Sequence, residues 1–458
     1  MTKTAILIDP YHRYAEMFID LIHTKWGIKT VALYTDRTQL LLQGIRFPIL
    51  RSEAIEASYY VDEDDILAIA PQLQALHDIV AVIPHAETYV LLASELASAL
   101  GLDWAQGDTI DRFRDKFRLK SYIARQPDAP RINLMWSVTT AQDVAAALAD
   151  SDIDRFVLKP NDGFGNMNIG FFDRSSDAAD IKEHLELAKG HAMMMEEFIA
   201  GPEYHVNGQI DGEGNVEIYA IFRYYRGEMY GKPNSLFWEE KVSQTDPVFT
   251  ALADYLTAVM TASGLRRSPF HAEALVDATG PCLVEVGARL CGADCAFTFN
   301  LSHGEQLNVF ELAAHYYLSS EPLNNPQLDW TIYNGRALGT LYGFYGEWSR
   351  VYSLSGIDTV EARPDFLRWA RKPEIADNLE PTLDVGAHPW FVTLASPQGI
   401  DFPKAQTELA ATIKINESKP TISEHLGVAT VLAEMAAQAT MQAGALRPKR
   451  LVPRDQDG

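Results

Sequence analysis

An apolar run closing on Asp-Pro, an amphipathic stretch and a second apolar run fill the start of the chain, and this order constrains the fold more than anything after it. Thr4 to Asp9 reads as a strand, Tyr11 to Trp26 as a helix and Lys29 to Tyr34 as a second strand. The helix rests on Met17, Leu21, Ile22 and Trp26, which recur at helical spacing, and Gly27 stands where a C-cap glycine belongs. Such a unit opens a doubly wound α/β domain. Residues 79–84, IVAVIP, continue it as a buried strand that stops at Pro84 and gives way to the helix in ETYVLLASELASALGL. Glu87 therefore opens a helix at the C-terminal end of a strand, where open parallel sheets bind ligands. The position equally suits a glutamate that only complements the helix dipole.

At 458 residues the chain exceeds one ordinary core, so roughly two to four packed domains are expected. The pattern changes where they would meet. After a linker with two prolines, Gln126 to Arg131, short strand-like runs follow: RFVLKP, IGFFD, AMMMEEFI, EYHVNGQI and VEIYAIFRYY, interrupted by helices near 140–150 and 177–189. This is an α+β segment. A helix from Phe249 to Ser263 leads into the strand pair FHAEALV and PCLVEVG, then a helix near Gln306 to Leu318. From Thr331 strands mix with an Ala-rich helical end, and RPKRLVPRDQDG reads as a frayed tail.

The apolar fraction of 47% and the charged fraction of 22% are those of a folded globular protein. A net charge of −23 argues against binding nucleic acid or an anionic membrane. The opening residues carry no export or membrane signal, so a cytoplasmic location is expected. Cys282, Cys291 and Cys295 cannot form a disulfide framework and lack the partners of a structural zinc site, which leaves buried free thiols.

Two clusters carry chemistry. Lys159 ends an apolar strand and precedes a loop with Gly163 and Gly165 that returns into a second strand, so the expected element is a glycine-tipped hairpin flap beside a lysine. No Walker A or dinucleotide fingerprint fits it. Glu273 and Glu285 flank the turn DATGP, centred near Thr279, which sets them opposite each other with Cβ atoms about 5 Å apart. Two carboxylates that close repel unless a cation lies between them, and magnesium carrying nucleotide phosphates is the usual solution. Arg289 adds a planar donor for phosphate or carboxylate. Together the clusters imply phosphoryl transfer.

In this order the residues resemble the ATP-grasp superfamily, from about Asp115 to Asn300, with an α/β domain in front. The resemblance implies a pre-ATP-grasp domain at 1–112, a small grasping subdomain with the flap at 113–200, a central subdomain with the metal site at 201–330 and a C-terminal lid-like α+β segment at 331–458. Lys116, in Arg114-Asp115-Lys116-Phe117-Arg118, takes the role of the early phosphate lysine and Lys159 that of the second. MMMEEFIAGPEYHV resembles the hinge, with Glu196, Glu197, Phe198 and Ile199 bordering adenine and Glu203 binding ribose hydroxyls. Glu273 and Glu285 correspond to the magnesium carboxylates. Where the family often reads Glu-x-Asn-x-Arg, this chain reads Glu285-Val-Gly287-Ala-Arg289, a departure shared with dipeptide-forming L-amino-acid ligases.

The activity implied is ATP- and Mg2+-dependent ligation, with Mn2+ able to substitute. A small carboxylate is activated as an acyl phosphate and coupled to an amine, releasing ADP and phosphate, with Arg289 and Lys159 as catalytic groups and Glu87 and Arg289 toward the substrate. Arg223, Tyr224, Tyr225 and Trp238 flank the same elements. Partners would be small molecules, and a homodimer is compatible with this reading. The alternatives are an ATP-grasp carboxylase or carboxylate–thiol ligase, and a catalytically silent ATP-binding regulatory protein.

Overall fold

The computed structural model describes residues 2–10, 13–35, 52–104, 106–163, 168–188, 190–292, 294–304, 307–319, 321, 328–382, 385–417 and 449–450. β1 (Lys3–Ile8), α1 (Arg13–Trp26) and β2 (Lys29–Tyr34) form the expected unit, and Gly27 caps the helix in the left-handed conformation with φ of 67°. β3 (Ile55–Tyr60) and β4 (Asp78–Val82) extend this parallel sheet in the order β3-β2-β1-β4. Lys449–Arg450 pairs with the outer edge of β3, so these two residues of the expected tail are not frayed. The remainder of that tail and most of the Ala-rich end lie outside the described residues. The run after Pro84 begins with a 3-10 turn, Glu87–Tyr89, and continues as α2 (Val90–Ala99).

Asp115 accepts a hydrogen bond from Arg118 N and caps α3 (Lys116–Ile123). A four-stranded antiparallel sheet follows, in the order β5-β8-β6-β7, from β5 (Met135–Val138), β6 (Arg155–Pro160), β7 (Gly170–Asp173) and β8 (Met193–Glu197). Helices α4 (Ala141–Ala149) and α5 (Ala178–Leu187) cover it, with Phe156, Leu158, Met195 and Ile181 in a core of its own. β6 and β7 pair antiparallel, so the segment between them joins two hairpin strands. Gly163 lies in it, whereas Gly165 falls outside the described residues.

The largest sheet has eight antiparallel strands: β9 (Glu203–Ile210), β10 (Val216–Met229), β11 (Lys232–Lys241), β12 (Ser268–Asp277), β13 (Gly280–Gly287), β14 (Ala337–Tyr342), β15 (Phe366–Arg371) and β16 (Phe391–Ser396). Their order is β13-β12-β9-β10-β11-β14-β16-β15, so the segment from Thr331 extends the central sheet through β14. α6 (Pro247–Ser263) packs on β9, β10 and β13. Its end is set by Gly264 in the left-handed region. α7 (Cys295–Ser302) and α8 (Val309–Leu318) join the first domain to this sheet, with Tyr14 and Phe18 edge-on to Phe310 at 5.1 and 5.5 Å. One apolar core runs through both regions. No helix among the described residues is long and apolar enough to cross a membrane.

Candidate active site

Side-chain alternation across five bonded strands builds one wall of the site. Glu273 on β12 lies opposite Glu285 on β13 and opposite His205 on β9, while Leu275 faces Glu203. Tyr224 on β10 faces Glu203 and, on its other side, Glu239 on β11. Residues directly opposite share a sheet face. Glu285, Glu273, Glu203, Tyr224 and Glu239 therefore project together and line a cavity of about 950 Å³. A register one residue away would have turned all of them out of it. The remaining walls come from the flap sheet, the end of β4 and the C-terminal strands, through residues such as Lys159, Glu87 and Phe391.

The flap sheet contributes positive charge. Val157 faces Glu196 across β6 and β8, which brings Lys159, two residues on, to the same side. Lys159 Nζ lies 2.5 Å from Glu196 Oε1, and Lys120 Nζ donates to Glu196 Oε2 at 2.7 Å and to Asn133 Oδ1 at 3.1 Å. All three charged side chains are almost fully buried. Burial works to raise the Glu196 pKa, but Lys120 and Lys159 outweigh it and hold the carboxyl at about 2. Lys159 is raised, Glu196 overcoming burial, while burial lowers Lys120. Lys116, first residue of α3, donates to the Gly163 carbonyl and lies 3.0 Å from Glu285 Oε2.

Glu87 crosses from the first domain to the far end of β13. Its carboxylate accepts from Arg114 and ion-pairs with Arg289 Nε. Burial acts to raise its pKa and the Arg289 and Arg114 guanidiniums overcome that, leaving it at about 2. A Cβ added at Gly287 would stand 3.0 Å from Glu87 Oε2.

At the deep end, ligating atoms of His205, His271 and Cys291 lie within 4.8 Å of one another, all buried. Asn207 links the two rings, its Nδ2 3.0 Å from His205 Nδ1 and its Oδ1 2.9 Å from His271 Nδ1. An amide has one donating and one accepting side, so whichever way it is turned it leaves only one neutral ring with a free Nε2 lone pair. His205 Nε2 lies 3.1 Å from Glu239 Oε2 without the geometry of a hydrogen bond. One amide thus couples the protonation of the two rings. All three cysteines are buried and free, as expected.

Residues 154–298 match the family model for the ATP-grasp domain. The chain carries an ATP-grasp domain. Dapdiamide A synthase of Enterobacter agglomerans is 26% identical over 243 residues, a match spanning 51% of this chain and 56% of that protein. Among solved structures, an L-amino acid ligase from Bacillus licheniformis superposes with a TM-score of 0.70 at 19% identity, covering 92% of this chain and 99% of the other. A phosphoribosylglycinamide synthetase from Anaerococcus prevotii gives 0.63 at 12%, covering 90% and 99%. At these identities the likeness shows the fold, which is the ATP-grasp fold expected from the sequence.

Within this domain the segment Glu196 to Ile199 lies along the cavity. Leu134 N donates to a Glu197 carboxylate oxygen at 3.3 Å, the Arg155 guanidinium lies 3.8 Å over the Phe198 ring, and Ile199 is buried. Glu203 accepts from both Arg226 Nε at 2.6 Å and Arg226 Nη2 at 3.3 Å, so its carboxylate is partnered by a guanidinium on the next strand. Burial raises its pKa against that partner. Arg223, Tyr224 and Tyr225 line the cavity, whereas Trp238 stacks on Tyr225 at 4.6 Å and packs into the C-terminal core. Lys120, Asn133, Arg226 and Glu239 escaped the sequence reading. Of these only Lys120 had a local signal, sharing a helix face with Lys116 four residues earlier.

Proposed function

We propose that the chain is an ATP- and Mg2+-dependent ligase that activates a small carboxylate, an amino acid or a related acid, as an acyl phosphate and couples it to an amine, releasing ADP and phosphate. The observation that carries this is the pairing of Glu273 with Glu285 on one cavity wall, facing buried Lys159 and the helix lysine Lys116. The Lys116 ammonium lies against Glu285 as a cation would, so the residues present fit a divalent ion there. Mg2+, or Mn2+ in its place, would be held by Glu273 and Glu285 and would neutralise charge on the nucleotide phosphates when bound. The names of the related proteins, an L-amino acid ligase and dapdiamide A synthase, support amide formation over the other ATP-grasp chemistries.

In this reading Lys159 and Lys116 hold phosphate oxygens, and the Gly163 backbone closes over them. The nucleotide base lies against the hinge from Glu196 to Ile199. Glu203 serves the ribose edge through its place beside Arg226. The substrate carboxylate attacks the γ-phosphoryl group, and the amine then attacks the acyl carbon. Arg289 donates to the oxyanion that forms, a stabilisation that grows as charge develops. Closure of the flap excludes the water that would hydrolyse the intermediate.

The test is ADP and phosphate release with ATP and Mg2+ across amino acids, singly and in pairs, with mass spectrometry of products. Release that needs two partners and yields an amide is expected. Release from bicarbonate or with a thiol acceptor would replace this reading with a carboxylase or thiol ligase, and nucleotide binding with no turnover would replace it with a regulatory protein.

A further inference from the structure

We propose that Glu87 is a positioning residue that holds Arg289, and that Gly287 is glycine so that this carboxylate, arriving from the first domain, can reach it. The inference rests on the ligase reading above for the role of Arg289. Three observations carry it. The Glu87 carboxylate is shared between Arg289 Nε and Arg114, with 17% of its side chain exposed. Any side chain at position 287 would place a Cβ 3.0 Å from Glu87 Oε2, closer than ordinary contact allows. The same Cβ would lie 3.6 Å from Arg289 Cγ and Cζ, an ordinary contact, so the crowding falls on Glu87 and not on the arginine.

A long side chain such as arginine has several rotamers to lose, and an ion pair at its buried Nε restricts where the guanidinium can lie while leaving its Nη groups to donate. Arg289 Nη1 donates to Leu290 O at 2.8 Å, which ties one further corner. Arg114 pulls on the other carboxylate oxygen and keeps Glu87 from swinging toward the phosphate lysines. The carboxylate also offsets the charge of the two guanidiniums that contact it. What the family's asparagine position loses at Gly287 is thereby occupied by a side chain contributed some two hundred residues earlier in the chain.

The experiment compares Glu87→Ala, Glu87→Gln, Gly287→Ala and the double variant Glu87→Ala/Gly287→Ala, reading kcat and KM for ATP and acid together with thermal unfolding. Glu87→Ala is expected to lower kcat on the order of 10- to 100-fold with KM for ATP little changed. Glu87→Gln, which keeps one acceptor, should recover part of the loss. Gly287→Ala should show the same signature, and in the Glu87→Ala background it should cost nothing more, because the methyl then meets no carboxylate. Additive losses would overturn the proposal, as would unchanged kinetics. A Glu87→Ala enzyme with a lower KM for the acid and intact kcat would make Glu87 a placeholder in the substrate's own carboxylate site instead. The unfolding arm separates this from the ligase reading. If no acid and amine drive ADP release, that reading fails, while non-additive shifts in unfolding midpoint still show that Gly287 acts through Glu87, and additive shifts show that it does not.

Discussion

Glu196 is the point at which the flap sheet is most exposed to a single change. Its carboxylate lies between two ammonium groups, 2.5 Å from Lys159 Nζ and 2.7 Å from Lys120 Nζ, in a sheet whose core is separate from the rest of the molecule. Glu196→Ala leaves both cations buried and unpaired, and breaking a buried pair by removing one partner costs about 3–5 kcal/mol. Because the cost is local, amide hydrogen exchange along β8 reports it better than global unfolding, which need not be two-state in a chain of this size. Exchange at Met194 and Met195 should quicken by about 10²- to 10⁴-fold, with β1 and β2 unaffected. The sign with pH follows from a carboxyl held at about 2 against an ordinary 4.5. Its contribution is complete above the ordinary value and drains away as pH falls toward the depressed one. Wild-type protection, corrected for intrinsic rates, should therefore fall through this range while that of Glu196→Ala stays flat. Lys120→Met added to Glu196→Ala should restore part of the protection by removing one stranded cation. Equal exchange in wild type and Glu196→Ala would refute the reasoning, and so would a loss shared evenly with the first domain.

Glu285→Ala should weaken ADP binding by at least about tenfold when Mg2+ is present and strengthen it slightly when Mg2+ is absent, since the bare carboxylate repels phosphate; calorimetry with and without chelator reads both signs. Gly201→Ala should damage nucleotide affinity and stability together, because the added Cβ would lie 2.0 Å from the Val276 carbonyl where the chain passes from β8 to β9; a dye-binding melt and an ADP titration suffice. Lys241 is lowered to about 7, chiefly by burial and also by Arg336, so stability should rise with pH from there to the ordinary lysine value of 10.5. Lys241→Met should flatten that rise in melts taken across the range.

The parts of this fold that were legible in sequence are those where the cause is close at hand. Gly27 announces a left-handed cap, and the DATGP turn announces the hairpin, pairing Asp277 with Gly280 and Ala274 with Leu283; a bulge between Glu273 and Ala274 then sets Glu273 opposite Glu285. β11 was not legible. KPNSLFWEEK carries a proline and four charged side chains, and its polar residues are there because one face lines a cavity, which local patterning reads as loop. The partners of the site were hidden for a different reason. Lys120 meets Glu196 at a separation of 76 residues and Arg226 meets Glu203 across a strand pair, so neither contact is encoded by spacing along one element. Position 287 shows the limit most clearly, since the sequence displays the missing asparagine but not the glutamate that crowds its place.

The joining of β14 to β11 means that the C-terminal strands are load shared with the rest of the sheet rather than an appendage. A hinged cover can be clipped or deleted and leave a finished body beneath it. Here, a chain ending before Ala337 would leave Trp238, Glu239 and Glu240 of β11 without their strand partner, with Leu236 and Glu239 stripped of neighbours they are buried among. Unpaired edges recruit other strands. A ribosome must therefore emit β14 and β16 before the wall that carries Glu239 is complete, and nascent or proteolysed fragments that stop short are candidates for chaperone capture rather than for partial activity.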